Sequence, residues 1–155
     1  MEESKFDYPP VGFHFRVEFK FQDTQFQGGN SEIQFQEVSG LNKEMTTEEL
    51  IEGGENRFIY RFPKGAKYSN LILKRGMRPD SKIIEWVKNS IDSFDFKPVD
   101  LTVTLLNPDH DPLVVWEFVK CWPVKWATND LKAQENAIAI ETLELSFNYY
   151  NQKKP

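Results

Sequence analysis

The sequence predicts a mainly β (α+β) fold: a two-sheet sandwich or small β-barrel of about seven to nine short strands, with one α-helix on its outside and one extended hairpin over about residues 44–62. Three observations carry this. Apolar and polar residues alternate with period two over much of the chain, most cleanly in Phe13-His14-Phe15-Arg16-Val17-Glu18-Phe19-Lys20-Phe21. Helical spacing of apolar residues occurs once, at about 80–93. Aromatic residues make up 14% of the chain, with 13 Phe, and such side chains suit a pleated, half-buried surface.

With 155 residues, the chain is read as one domain, long enough to bury about 70% of its unfolded surface. Its 39% hydrophobic and 28% charged residues describe a globular chain rather than a disordered one. No apolar run approaches the roughly 18 residues of a membrane helix, and MEESKFDYPP lacks the basic and apolar regions of a signal peptide, so folding in the cytosol without a membrane partner is expected. The net charge of −5 argues against tight binding to phosphate backbones. Cys121, the single cysteine, excludes an internal disulfide and a cysteine-built metal site, and reads as a buried strand residue.

In chain order, residues 1–10 form an extended arm ending at Pro9-Pro10, which neither a helix nor a central strand accommodates. A strand follows from Phe13, with His14 on its polar face and no second ligand near it in sequence. Asp23 to Asn30 is a loop, Ile33 to Val38 a second strand, and Ser39-Gly40-Leu41 closes it with Gly40 at a positive φ. Ser39 lacks the strand-to-helix turn and the second glycine of a hydrolase nucleophile elbow.

The stretch from Lys43 to Gly76 organises the rest. Glu44, Glu48 and Glu52 share one parity, and Met45 and Ile51 the other. Beyond Gly53-Gly54, Phe58, Tyr60 and Phe62 lie on one face, with Arg57, Ile59 and Arg61 opposite. Pairing through a four-residue turn, Gly53 to Asn56, sets Glu52 across from Arg57 and Glu48 across from Arg61, giving one charged, wet face and one aromatic face. Such pairs contribute only about 0.2–1 kcal/mol each, so they fix register more than they stabilise. A polar hairpin this long needs a partner, and the most economical one is another copy of itself.

Pro63-Lys64-Gly65 breaks the strand, and Leu71 to Leu73 form a short buried strand ended by Gly76. Asp80 or Ser81 caps a helix carrying Ile83, Ile84, Trp86, Val87 and Ile91 at helical spacing; alone it is too short to hold, so it lies on the sheet. Val99 to Leu106 is a strand and NPDHDP a turn, whose prolines make the turn a better reading of Asp109-His110-Asp111 than a ligand set. Leu113 to Trp122 is the next strand, with an edge or bend at Pro123. After a polar connection, Asn129 to Asn136, a final strand runs from Ala137 to Tyr150 with Leu143, Leu145, Phe147 and Tyr149 on one face, leaving 151–155 as a free tail.

No catalytic, cofactor-binding or metal-binding residue is assigned. Gly28-Gly29 and Gly53-Gly54 lack the Gly-Lys and helix of a phosphate loop, His14 and His110 are far apart in sequence, and Glu48, Glu49 and Glu52 have nothing to desolvate them. A structural protein, not an enzyme, is expected.

The segments PPVGFHFRVEF, VSGL, EGGENRFIYRFP, YSNLILKRG, IIEW, VKCWPVKW and IAIETLELSFNYY, in that order from about Pro9 to Tyr150, resemble the tail tube proteins of contractile injection machines. These include contractile phage tails and extracellular injection particles, with type VI secretion tubes more distantly related. The Pro9-Pro10 arm and EGGEN are similar to the subunit that starts the tube on the baseplate. The resemblance implies homo-hexameric rings stacked into a tube. Glu44 to Arg61 would form the inner wall, with Glu44, Glu48, Glu52, Arg57 and Arg61 facing a hydrated lumen. Pro9, Pro10, Lys64, Lys67 and Tyr68 would contact adjacent subunits, and Ile84, Trp86 and Val87 would lie in an outer helix towards the sheath. The implied partners are further copies, sheath, baseplate or spike and other tube subunits, with DNA or protein cargo passing unbound, in a phage tail or tail-like particle assembled in the cytoplasm. The alternatives are a baseplate or sheath adaptor of the same fold, and a monomeric ligand-binding β-barrel with an apolar pocket.

Overall fold

Period-two alternation becomes ten strands around one helix in the computed structural model, which describes residues 13–21, 31–77, 82–133 and 138–155. In chain order these are β1 (His14–Lys20), β2 (Ser31–Phe35), β3 (Glu37–Ser39), β4 (Glu44–Leu50), β5 (Tyr60–Lys67), β6 (Leu71–Gly76), α1 (Lys82–Ile91), β7 (Val99–Leu106), β8 (Pro112–Thr128), β9 (Ile140–Ser146) and β10 (Tyr149–Lys153). The arm with Pro9 and Pro10, the whole 23–30 loop, and Asp80 and Ser81 lie outside the described residues.

Eight strands form one bent antiparallel sheet in the order β2-β1-β7-β8-β9-β6-β3, with β10 also on β8; β4 and β5 form a separate ribbon. The 17-residue β8 turns the corner between the layers. Its first part pairs with β7 and β10, and its second part, from Trp122, with β9. The corner lies at Lys120, at φ 56, whose N–H donates to Asp100 Oδ1 at 3.1 Å, and a register slip follows between Pro123 and Lys125. The edge or bend expected at Pro123 is thus a corner three residues earlier and a register slip at Pro123 itself, through which the strand continues to Thr128.

Four strand expectations need correction. Pro63-Lys64-Gly65 does not break its strand, since β5 runs through it from Tyr60 to Lys67. Ile33 to Val38 is not one strand: Gln36 interrupts it, its N–H donating to Lys74 O at 2.9 Å, and carries the chain from one margin of the sheet to the other. The final strand breaks at Phe147-Asn148, so the alternation slips by one and Tyr150, not Tyr149, enters the core. The 151–155 tail is not free, because Asn151, Gln152 and Lys153 pair with Glu117, Trp116 and Val115.

Val17, Phe19, Leu71, Leu73, Val103, Phe118 and Leu145 form the heart of the core, and α1 covers it with Ile83, Trp86 and Val87. The Trp86 ring meets Phe19 and Phe21 edge-on at 6.0 and 5.8 Å, and its Nε1–H donates to Lys97 O at 2.9 Å. Ser90, also buried, donates to Trp86 O at 2.9 Å. Ile91, expected on this face, is exposed instead: the buried stripe Ile83, Ile84, Trp86, Val87 and Ser90 stops short of it, and Ile91 is the last residue of α1. Cys121 is buried as expected; burial, and secondarily the Asp100 charge, push its thiol far up, which leaves it protonated and unreactive. Among the described residues no helix is long and apolar enough to cross a membrane.

Beneath α1 the inward alternation of β6 places a charge in the core. Arg75 lies opposite Glu141 of β9, and both are 3% exposed. Arg75 Nε donates to Glu141 Oε1, and the guanidinium lies over the Phe35 ring at 5.3 Å. Among the described residues Arg75 Nη1 and Glu141 Oε2 have no hydrogen-bond partner. Removing one member of a buried pair strands the other charge, whereas replacing both with apolar groups does not. Glu141→Ala is expected to cost about 3–5 kcal/mol in urea unfolding, and Arg75→Met combined with Glu141→Leu markedly less.

Candidate functional site

Among the described residues the β4–β5 ribbon has no hydrogen-bonded neighbour strand, and nearly every residue of it is exposed. Its base is well anchored. Gly40, at φ 89 as expected, approaches the main chain so closely that a Cβ there would lie 2.0 Å from Asn70 O. Asn42 Oδ1 accepts hydrogen bonds from the Ser69 hydroxyl and, at 3.4 Å, from Ser69 N–H. Asn70 Nδ2 donates to Glu144 Oε1 at 3.0 Å. The Tyr68 ring meets Phe147 and Tyr150 at 5.6 and 5.4 Å, and Lys43 Nζ lies 5.5 and 5.2 Å from the Tyr68 and Tyr150 rings. Tyr68, expected at a subunit contact, thus joins ribbon to core within one chain.

The register differs from the one the charges suggest. Glu49 pairs with Arg61, Glu48 with Phe62 and Leu50 with Tyr60, one step from the expected Glu48–Arg61 alignment. Residues 51–59 form a loop longer than four residues, and a slip between Thr46 and Thr47 leaves Lys64 as the extra residue of a bulge. Directly paired residues share a face. Glu44, Thr46, Glu48 and Leu50 therefore lie with Tyr60, Phe62 and Lys67, and Met45, Thr47 and Glu49 with Arg61 and Pro63. The five charged positions of the expected wall do not share one face: Glu44 and Glu48 lie on one side, Arg61 lies on the other beside Glu49 at 3.6 Å, and Glu52 and Arg57 belong to the tip. The step goes with the longer loop: the connection spans 51–59 rather than four residues, and Phe58–Tyr60 at 4.8 Å and Tyr60–Phe62 at 6.4 Å form an aromatic ladder along β5, while an exposed cross-strand ion pair is worth too little to set the register by itself.

At the tip, Gly54 takes φ 100 and Glu55 N–H donates to Glu52 O at 3.3 Å. Arg57 bonds to Glu55 rather than to Glu52, through Nε at 2.9 Å, Nη2 at 3.2 Å and its backbone N–H at 3.1 Å. These bonds hold the Glu55 carboxyl below its usual range and raise the Arg57 guanidinium. Around and between the charges Met45, Leu50, Ile51, Phe58, Ile59 and Phe62 are exposed, with Ile51 at 79%. This apolar content of the ribbon is the part that charge parity missed; the FIYRF run was its signal.

Of the remaining expected site residues, Ile84, Trp86 and Val87 do lie in the covering helix, but on its inner face; Lys82, Glu85, Lys88 and Ile91 are its exposed side chains. His14 and His110, 96 positions apart, meet: His14 Nε2 lies 2.8 Å from His110 Nδ1. Sequence distance concealed this contact, which the β1–β7 ladder creates by setting His14 opposite Leu106 at the mouth of the β7–β8 turn. Among the described residues no group of three or more His, Cys, Asp or Glu is placed to hold a metal.

A filled β-sandwich with a projecting, unpaired ribbon is the geometry of an assembly subunit, and comparison with known proteins supplies the assembly. At 26% identity, over 95% of this chain and 97% of the other, it is similar to a chain in a six-fold symmetrised cryo-EM structure of the anti-feeding prophage baseplate, with a TM-score of 0.84. The fold is also that of a chain in the PVC sheath–tube complex, an extracellular contractile injection system in its extended state, at 23% identity, 97% and 95% coverage and TM-score 0.77. Hcp1 from Flavobacterium johnsoniae shares it at 12% identity, 92% and 96% coverage and TM-score 0.54. No curated protein matches the chain. The protein is a structural component, tube or baseplate-associated, of contractile injection systems. The chain belongs to the T4-like virus tail tube protein gp19 family, whose model matches residues 11–151.

Gly40→Ala tests the anchoring of the ribbon. Its positive φ and the clash with Asn70 O predict a loss of about 1–3 kcal/mol in chemical denaturation. Gly53→Ala, where a Cβ meets nothing within 4 Å, is expected to be near neutral.

Proposed function

We propose that this protein is an inner-tube subunit that closes into homo-hexameric rings, stacked around a hydrated channel and set on the baseplate as the start of the tube. The observation that carries the reading is the ribbon: two strands with exposed apolar side chains and, among the described residues, unpaired outer edges, anchored at the base. Joining β4 and β5 of successive copies into one barrel removes every such edge, and a head-to-tail contact that closes leaves both ring faces free for the next layer. Similarity to a chain of a six-fold symmetrised baseplate supports the ring number and a place at the baseplate.

The observed register revises the lumen. The face with Leu50, Tyr60 and Phe62 needs protein cover, so Glu44, Glu48 and Lys67 border the packed side. Thr47, Glu49 and Arg61 form the hydrated wall, and Glu52 and Arg57 the rim. Such a wall offers cargo, DNA or protein, neither a broad apolar patch nor net counterion release. Lys64 and the Pro9-Pro10 arm serve contacts between subunits. The exposed Lys82, Glu85 and Lys88 turn towards the sheath. A ligand-binding barrel is disfavoured by the packed interior, where the enclosed cavity beneath α1 measures about 10 Å³.

Negative-stain microscopy of the purified chain is expected to show six-fold rings or short tubes. Leu50→Ser with Phe62→Ser should abolish them while circular dichroism stays unchanged. Rings that persist in this variant would refute the ribbon as the closing element.

A further inference from the structure

The contact between His14 and His110 lies outside the ribbon, at the start of β1 and in the β7–β8 turn. Their rings meet edge-on, with centroids 4.5 Å apart and planes at 76°, and the two facing nitrogens are 2.8 Å apart. Both are held by backbone. His14 opens β1, in register with Leu106. His110 sits at φ 64, uncommon outside glycine, in a turn closed by Asn107 and Asp111: Asp111 N–H donates to Asn107 Oδ1 at 2.8 Å, Asn107 N–H to Asp111 O at 3.0 Å, and His110 N–H to Asn107 O at 2.9 Å. The turn thus spends conformational strain on directing this imidazole at the other.

From this geometry we infer that His14 Nε2 and His110 Nδ1 form a binding site for a borderline divalent transition metal such as Zn²⁺. Zinc binds imidazole nitrogen at about 2.0–2.1 Å with tetrahedral angles, which needs the two nitrogens about 3.3 Å apart, an opening of roughly half an ångström from the present contact. In the metal-free pair one ring donates its N–H to the other. The metal takes the place of that proton, which moves to the donor ring's second nitrogen, so both rings stay neutral and no net proton is released. The remaining coordination positions go to water, for which there is room: the adjoining open cavity is about 520 Å³ and is lined by both histidines with Phe13, Phe35, Gln36 and Arg75. Asp109 and Asp111 of the same turn favour a cation, and the positive charge of Arg75 is offset by Glu141. Binding would clamp the start of β1, the root of the N-terminal segment, to the β7–β8 turn.

The chain has two histidines, so their ring signals in NMR report this site alone. Zinc chloride is titrated into the tag-free full-length chain, followed by calorimetry and by these signals. The site predicts one Zn²⁺ per chain, both rings shifting together, no response to Mg²⁺, and a loss of at least about tenfold in affinity in His14→Ala or His110→Ala. The inference is overturned by absence of zinc binding, by shift of one ring only, or by unchanged binding in the double variant. If the alanine variants misfold, the paired ring signals of the unaltered chain decide.

Discussion

An isolated two-stranded ribbon in water cannot satisfy its outer backbone groups from within the chain, and the rest of this structure is arranged around that constraint. β4 and β5 bond to each other and to no other strand of the described chain, so each presents an unpaired edge. Native proteins usually blunt such edges with charge or proline. Here Glu44, Glu48, Glu49 and Arg61 do part of that, and the bulge at Lys64 twists the ribbon, yet Leu50, Ile51, Phe58 and Phe62 stay exposed among them. That mixture leaves the ribbon unfinished as a surface.

The sandwich exists to hold the ribbon's base still. Gly40 against Asn70, Asn42 with Ser69, and Tyr68 seated on Phe147 and Tyr150 carry the ribbon's direction into a core closed by α1. The slip at Phe147-Asn148 contributes directly, because it turns Tyr150 inward to meet Tyr68. The buried Arg75–Glu141 pair joins β6, the strand that follows the ribbon, to β9. Such a pair does more for alignment than for net stability, since replacing it with apolar groups often costs nothing.

Strands whose two faces differ in polarity were legible from sequence: β1, β7 and the β9 half of the last strand hold the cores that their alternation marks. So was the helix, apart from its Ile91. What stayed hidden depends on contacts between distant segments. A strand that changes layers, like β8, or margins, like β2–β3, looks continuous or merely weak in one dimension. The ribbon's register was misread because a four-residue turn was assumed where the loop spans 51–59, and solvated ion pairs are too weak to fix an alignment, so Arg61 meets Glu49 rather than Glu48. Arg75 reads as a polar position in LILKRG until Glu141 is placed opposite it, and His14 and His110 become a pair only once β1 and β7 lie side by side. The family resemblance covered nearly the whole chain, yet the faces of the ribbon had to come from the pairing itself.

Backbone hydrogen exchange, followed by mass spectrometry on the dispersed chain and on the assembled rings or tubes, tests the central claim most directly. Amides on the outer edges of β4 and β5 should exchange fast in the single chain, while β1, β7 and β8 are protected in both states. On assembly the ribbon should gain protection comparable to that of the core strands. A ribbon already protected in the single chain, or still exchanging fast within assembled tubes, would contradict the account.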